Sequence, residues 1–339
     1  MALNELPPVP RKRTGTLSPA SHPHRPTTTF MHTLDKSITY NAWDNSIAPR
    51  IEIESGDSIL IEMEDSSDGQ VHPGQSLEDF VKINFDLIHA LTGPVAIKGA
   101  RPGDTLKIEI LEYIHKGWAW QSINPEKCFL PDDFDDFYLH HWTLEGDKTH
   151  SMPGIELALH PFCGILGVQR AESGSYRTRP PGPYGGNMDV KHLTAGSTLY
   201  LPVLVEGAQL CAGDAHAAQG DGEVSINGLE APMDVKLRIS IDQEVSVDAP
   251  YIYTTPDLSP AAYAGSRYHA FVCSGPDLKQ NAQDAVRRAI DYIMKRANLS
   301  AEQAFLVCSA VLDLKLSQVV NVPNLTVTGY LPEAIFVGV

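Results

Sequence analysis

The chain has 339 residues, 42% of them apolar and 20% charged, which is enough to fold around a large core as about two domains or one elaborate one. Its net charge of −16 repels phosphate backbones, so nucleic acid is not expected as a partner. No apolar run approaches the roughly 20 residues of a membrane span, and residues 1–30 lack the apolar stretch of a secretory signal; no membrane partner is expected, and the cytoplasm is the default compartment.

Residues 1–30 hold Pro7, Pro8, Pro10, Pro19, Pro23 and Pro26. Proline lacks the N–H that a sheet needs, so this segment reads as an extended arm, either draped over a neighbouring subunit or mobile. The basic run Arg11, Lys12 and Arg13 within it reads as a solvated tail. An arm with no pattern for burial in its own chain points to a homo-oligomer, a dimer or a larger even assembly.

Residues 31–250 read as a β-rich catalytic region. Residues 50–54 alternate polar and apolar, Ser55-Gly56-Asp57 marks a turn, and 58–63 reads as the returning strand. Residues 93–97 and 105–110 read as strands on either side of a second turn at Arg101-Pro102-Gly103-Asp104. The two turns are alike, which suggests a weak internal duplication. Between them, Phe80, Ile83, Leu87 and Ile88 suggest a helix over 77–91. Residues 116–155 are aromatic and acidic without periodicity and read as a long loop, with Asp132, Asp133, Asp135 and Asp136 as a solvated face. Strands are expected again at 155–159, 197–201, 223–226 and 236–241.

Residues 251–339 read as an α+β region. Leu278, Ala282, Ala285, Val286, Ala289, Ile290 and Ile293 fall at helical spacing. Ser300 three positions before Gln303 is a capping-box signature for a second helix over about 301–312. The fold class expected is mostly β with an α+β C-terminal region, a sandwich- or barrel-like architecture in several parts.

Cys128, Cys163, Cys211, Cys273 and Cys308 are odd in number and form no CxxC pair. They fit a reduced compartment and argue against a disulfide scaffold or a zinc ribbon. Cys163 beside His160 is read as a small core residue rather than a nucleophile.

The densest chemistry lies at 211–224, where Asp214, His216, Gln219, Asp221 and Glu223 are spaced by alanines and glycines. Small residues let the backbone approach a ligand and adopt unusual conformations. Asp214 and His216, two apart, project to one side of an extended segment and suit a single metal; zinc takes nitrogen and oxygen donors of this kind.

The stretch GDAHAAQGDGEVS (213–225) resembles the signature of the acetamidase/formamidase family. DGQVHPG (68–74), TGPVAIKGARPGDTLKIEI (92–110), HPFCGILGV (160–168) and GGNMDVKHLTAGSTLYLPVLVEGA (185–208) are similar to family blocks in the same order, over about residues 31–335. The resemblance implies hydrolysis of short aliphatic amides to acid and ammonia, with a divalent metal, zinc first and calcium second. Asp214 and His216 match the metal-binding part of the signature, and Asp65 resembles an early acidic position of the same role. Glu223 matches the terminal glutamate and is expected as a proton shuttle with Asp189. Asn187, Gln219 and His160 are expected to bind substrate, and His32 is a weaker candidate for the same site.

Two rivals remain. One is a hydrolase of larger amides or carbamates, such as indole-3-acetamide, if aromatic residues such as Trp118, Trp120, Phe137 and Trp142 line the pocket. The other is a non-catalytic β module whose acidic residues hold structural calcium.

Overall fold

Alternating sequence predicts strands for most of the chain, and strands are what form. The computed structural model describes residues 31–320 and 322–338; the arm assigned to 1–30 lies outside the described residues.

Two open sheets carry most of the fold. One has six strands in the order Met31–Leu34, Ser58–Met63, Met233–Asp242, Thr105–His115, Thr198–Pro202 and Tyr251–Tyr253. The other has five, in the order Gly185–Asn187, Phe162–Gly167, Leu210–His216, Leu91–Ile97 and Ile51–Ile53. Ile59, Ile61, Leu106 and Ile108 of the first share one core with Ile53, Val95, Ile97 and Leu210 of the second. The architecture is therefore mostly β and sandwich-like, and among the described residues neither sheet closes into a barrel. In Met233–Asp242, Val235, Leu237 and Ile239 are buried while Lys236 and Arg238 are not, which is the alternation of a half-buried strand. Leu91–Ile97 and Leu210–His216 are buried at every residue, so neither shows alternation, and the second buries Asp214 and His216 with its small residues.

The Ser-Gly-Asp and Pro-Gly-Asp turns do not close hairpins. Ile51–Ile53 pairs in parallel with Leu91–Ile97. Ser58–Met63 and Thr105–His115 both pair antiparallel with Met233–Asp242. Each turn thus carries the chain from the five-stranded sheet to the six-stranded one. The second strand of each pair crosses to the opposite sheet instead of returning beside the first, and the two segments repeat the same crossing.

Three further expectations are corrected. Residues 77–91 form only a short helix, Leu77–Phe80, and a 3-10 turn, Phe85–Leu87. The Asn84 side chain accepts from the Asp86 N–H and starts the second turn, while the rings of Phe80 and Phe85 pack edge to face at 5.9 Å. Residues 116–155 are not one long loop but carry two strand pairs: Trp118–Ile123 pairs with Tyr138–Thr143, and Lys148–Met152 with Ile155–Ala158. Trp118–Ile123 is buried at all but its first residue, so no alternation marks it. Of the acidic run, Asp133 pairs with Arg287 at 2.6 Å. Residues 223–226 form a turn, not a strand. Ser225 donates its N–H to Ser309 Oγ at 3.0 Å, so a C-terminal helix takes the place of a sheet neighbour.

The helices Leu278–Ala297 and Ala301–Val311 form as expected, the second with its Ser300–Gln303 capping box. The first packs on a three-stranded sheet of Tyr268–Gly275, Leu325–Pro332 and Asp313–Gln318.

Candidate active site

Strand Leu210–His216 delivers Asp214 and His216 to one end of the five-stranded sheet, where Phe162 pairs with His216 in register. Neighbouring Gly164 is required there. A Cβ on it would lie 2.6 Å from Asp189 Oδ1 and 2.9 Å from Asp214 Oδ2, so only glycine lets the two carboxylates close over the strand. Asp214, Asp189 and Glu223 all sit at positive φ, 52°, 48° and 45°. Non-glycine residues adopt that region rarely, and such strain concentrates at functional sites.

His216 is the hub. Its Nε2 lies 3.0 Å from Glu230 Oε1 and 3.5 Å from Asp214 Oδ1. Its Nδ1 lies 2.7 Å from Gln219 Oε1, and Gln219 Nε2 donates to the Asp189 carbonyl at 3.0 Å. Backbone bonds of 2.9 Å in both directions between Trp120 and Glu230 pin the glutamate against the strand Trp118–Ile123. His89 Nε2 lies 3.8 Å from Asp214 Oδ2. Donor atoms of Asp214, His216 and Glu230 fall within 4.8 Å of one another, as do those of Asp189, His216 and Glu223.

Four carboxyl groups around one imidazole cannot all ionise in a buried site without compensation. Burial, reinforced by the Asp214 charge, pushes Asp189 up to about 6. Burial and the Asp189 charge hold Glu223 well above the usual carboxylate range. Burial also pushes Glu230 up to about 8, against the opposing pull of His216. Burial would discharge His216, but Glu230 and Asp214 override it and raise the imidazole well above its ordinary value. Asp214 is held low despite its burial by the charges of His89 and His216.

The donor set fits a divalent cation. Asp189 Oδ1, Glu230 Oε2, Asn187 Oδ1 and Asp65 Oδ2 are buried with no hydrogen-bond partner among the described residues. Unmet buried acceptors are rare in folded proteins, and a cation answers several at once. One imidazole nitrogen with carboxylate oxygens suits zinc better than calcium, which takes oxygen donors alone.

A cavity of about 200 Å³ opens onto this cluster. Asn187, Asp189, Asp214, Glu223 and Glu230 form its floor, and Phe80, Phe85, Ile88, Trp120 and Phe137 form its wall. Of the residues expected from sequence, Asp214, Glu223, Asp189 and Asn187 line this cavity, and His216 lies behind Asp214, outside the lining. Gln219 stands behind His216, outside the cavity lining. His160 lines a separate small recess with Lys191 and Gln219; burial first, then His192 and Lys191, lowers it to about 4. Asp65 accepts from Trp120 Nε1 at 3.0 Å and from the Ser67 N–H at 2.9 Å, beside the cavity and outside both donor triads. His32 pairs with Asp57 at 2.8 Å, outside the cavity lining. Cys163 is buried, and burial pushes its thiol up to about 12, which suits a core residue.

Sequence reasoning missed Glu230 and His89. Glu230 carried a usable signal, a lone charge in the apolar run Leu229-Glu230-Ala231-Pro232. His89 lay inside the stretch read as a helix and carried none. The aromatic stretch divides: Trp120 and Phe137 line the cavity, whereas Trp142 is in the core and Phe134 stacks on Phe305 at 4.5 Å.

The chain is similar to amidases over most of its length. Residues 28–173 and 168–337 match the model of the Acetamidase/Formamidase family. The formamidase of Methylophilus methylotrophus is 25% identical, over 88% of this chain and 89% of its own. The acetamidase of Mycolicibacterium smegmatis is 26% identical, over 79% and 84%. Among solved structures, a gamma lactamase from Delftia acidovorans superimposes with a TM-score of 0.82 at 25% identity, over 90% of this chain and 93% of that one. An acetamidase from Bacillus halodurans does so with 0.63 at 30% identity, over 88% and 97%.

Proposed function

Because the chain belongs to the acetamidase/formamidase family and is an amidohydrolase, we propose that it cleaves small linear carboxamides, formamide and acetamide upward, to carboxylic acid and ammonia with the help of a divalent metal, zinc before calcium. The observation that carries the reading is the Asp214–His216–Glu230 cluster, whose donor atoms lie within 4.8 Å of one another and of which Asp214 and Glu230 line the cavity. Family membership sets aside the non-catalytic β module.

Asp214, His216 and Glu230, the fully buried triad, would hold the ion. A cation there supplies Lewis acidity, polarising the amide carbonyl and acidifying water. Asp189 and Glu223 line the cavity, and the Asp189 charge raises the affinity of Glu223 for a proton, which suits a group that must take one up. Glu223 takes a proton from the attacking water as the new C–O bond forms. It returns that proton to the amide nitrogen as the C–N bond breaks, and ammonia leaves. Asn187 orients the carboxamide, and the aromatic wall excludes bulk water. Gln219 fixes the His216 ring.

A second reading draws on the wall itself. Trp120, Phe137, Phe80 and Phe85 flank a cavity with room beyond an acetyl group, so an arylacetamide such as indole-3-acetamide belongs on the substrate panel. The reading includes a homo-oligomer, a dimer or a larger even assembly. It is supported by Leu316 on the edge strand Asp313–Gln318 and by Val319, Val320 and Val322 in the connection after it, which are 65%, 50%, 77% and 80% exposed. Light scattering that finds a monomer at micromolar concentration removes that part.

The test is ammonia release from a panel of amides before chelation, after it, and after zinc or calcium is returned. Activity should vanish and come back with one of the ions. Full activity in metal-stripped protein overturns the metal-dependent reading.

A further inference from the structure

The cavity lining carries both signs of charge: Asp189, Asp214, Glu223 and Glu230 on one hand, Lys127 and Arg179 on the other. Both cations also line an adjoining recess with Arg177 and Thr178. Lys127 is exposed and Arg179 half-buried, so they mark the mouth. Among the described residues, no carboxylate lies within 4.0 Å of either. Arg177 does have one, Asp86 at 3.7 Å. In a chain of net charge −16, two cations left without counterions at a cavity mouth are conspicuous. Cations beside a low-dielectric wall attract an anion more strongly than they would in open water. A guanidinium also offers a carboxylate a matching pair of donors.

We infer that the cavity selects carboxamides bearing a second, anionic group, and that monoamides of short dicarboxylic acids are the chemical class that fits. The inference rests on the amidohydrolase reading and names the substrate of that site. The charge pattern sets the orientation. A divalent cation would be balanced by Asp214 and Glu230, so the charge left on Asp189 still repels a carboxylate, and Arg179 and Lys127 hold it at the mouth. The neutral carboxamide is then the end that reaches Glu223 and Asn187. The spacer between them lies along Phe80, Phe85, Trp120 and Phe137, which calls for a short hydrocarbon. Plain acetamide uses the floor and leaves the mouth empty.

The test compares kcat/KM, read as ammonia release, for such a monoamide and for its methyl ester, which keeps the chain and removes the charge. The acid should be preferred by about tenfold, what one charge-assisted hydrogen bond contributes. The preference should shrink as sodium chloride screens the mouth. In the double variant Arg179→Gln, Lys127→Gln the ratio should fall toward one, and Arg179→Lys should keep most of it. An ester used as well as the acid overturns the inference. So does a ratio that survives the double substitution, or equal losses on both substrates, which would place Arg179 in the reaction rather than at the anion. If acetamide is hydrolysed but no preference for the acid appears, this inference alone fails; if no amide releases ammonia, the amidase reading fails with it.

Discussion

Gln219 Oε1 lies 2.7 Å from His216 Nδ1, while Gln219 Nε2 donates to the Asp189 carbonyl at 3.0 Å. The second bond fixes which end of the amide is oxygen, so His216 must donate from Nδ1. Its Nε2 is then the nitrogen presented to Asp214 and Glu230. Partners of this kind orient metal-binding histidines, and losing one typically lowers metal affinity about 10- to 100-fold. Gln219→Leu should therefore weaken zinc binding by that factor in a competition titration with a chelator. An unchanged affinity would show that the ring is held by other contacts, such as Phe162, whose ring centroid lies 5.1 Å away.

Gly164 makes a steric prediction. A methyl group there meets Asp189 Oδ1 at 2.6 Å and the Asp214 carbonyl oxygen at 2.9 Å. Overpacking of this kind costs about 1–3 kcal/mol. Gly164→Ala should lower the melting temperature and also weaken metal binding, because it separates two of the site's carboxylates. Normal ammonia release from this variant would mean that the site tolerates the shift.

Stability should depend on pH in opposite ways with and without metal. In the metal-free protein, Asp189 is raised to about 6 and Glu230 to about 8, each chiefly by burial. Groups raised on folding stabilise fully below their unfolded values, near 4 for carboxyls. That stabilisation is lost as pH rises through the folded values. His216, also raised, acts in the same direction. The chelated protein should thus lose thermal stability between about pH 5 and about pH 8. Metal binding needs these groups deprotonated and strengthens over the same window. The gap in melting temperature between loaded and stripped protein should widen with pH, and a constant gap would contradict the assignment of these residues to the site.

Half-buried elements were legible in the sequence. Alternation in Met233–Asp242 and helical spacing in Leu278–Ala297 report one wet face and one dry face, and both formed as read. Trp118–Ile123 is buried on both faces, so no period distinguished it from a loop. The segment 223–226 has the composition of a strand but bonds to Ser309 of a helix, a tertiary choice that no local pattern encodes. At the site, Asp214 and His216 were legible because they are close in sequence and set among small residues. Glu230 reaches the same imidazole through the Trp120 backbone pairing, a relation between distant segments. The cations Lys127 and Arg179 belong to one cavity only after folding.

The assignment of Asp214–His216–Glu230 to the metal and of Glu223 to proton transfer is tested most directly by zinc content and ammonia release in Glu230→Gln and Glu223→Gln, prepared side by side. Glu223→Gln keeps the shape of the side chain and removes its proton-transfer capacity. It should hold close to the normal amount of metal while turnover falls by on the order of 10² or more. Glu230→Gln should lose metal and activity together. A Glu223→Gln protein that loses its metal while Glu230→Gln keeps it would exchange the two roles and contradict the account.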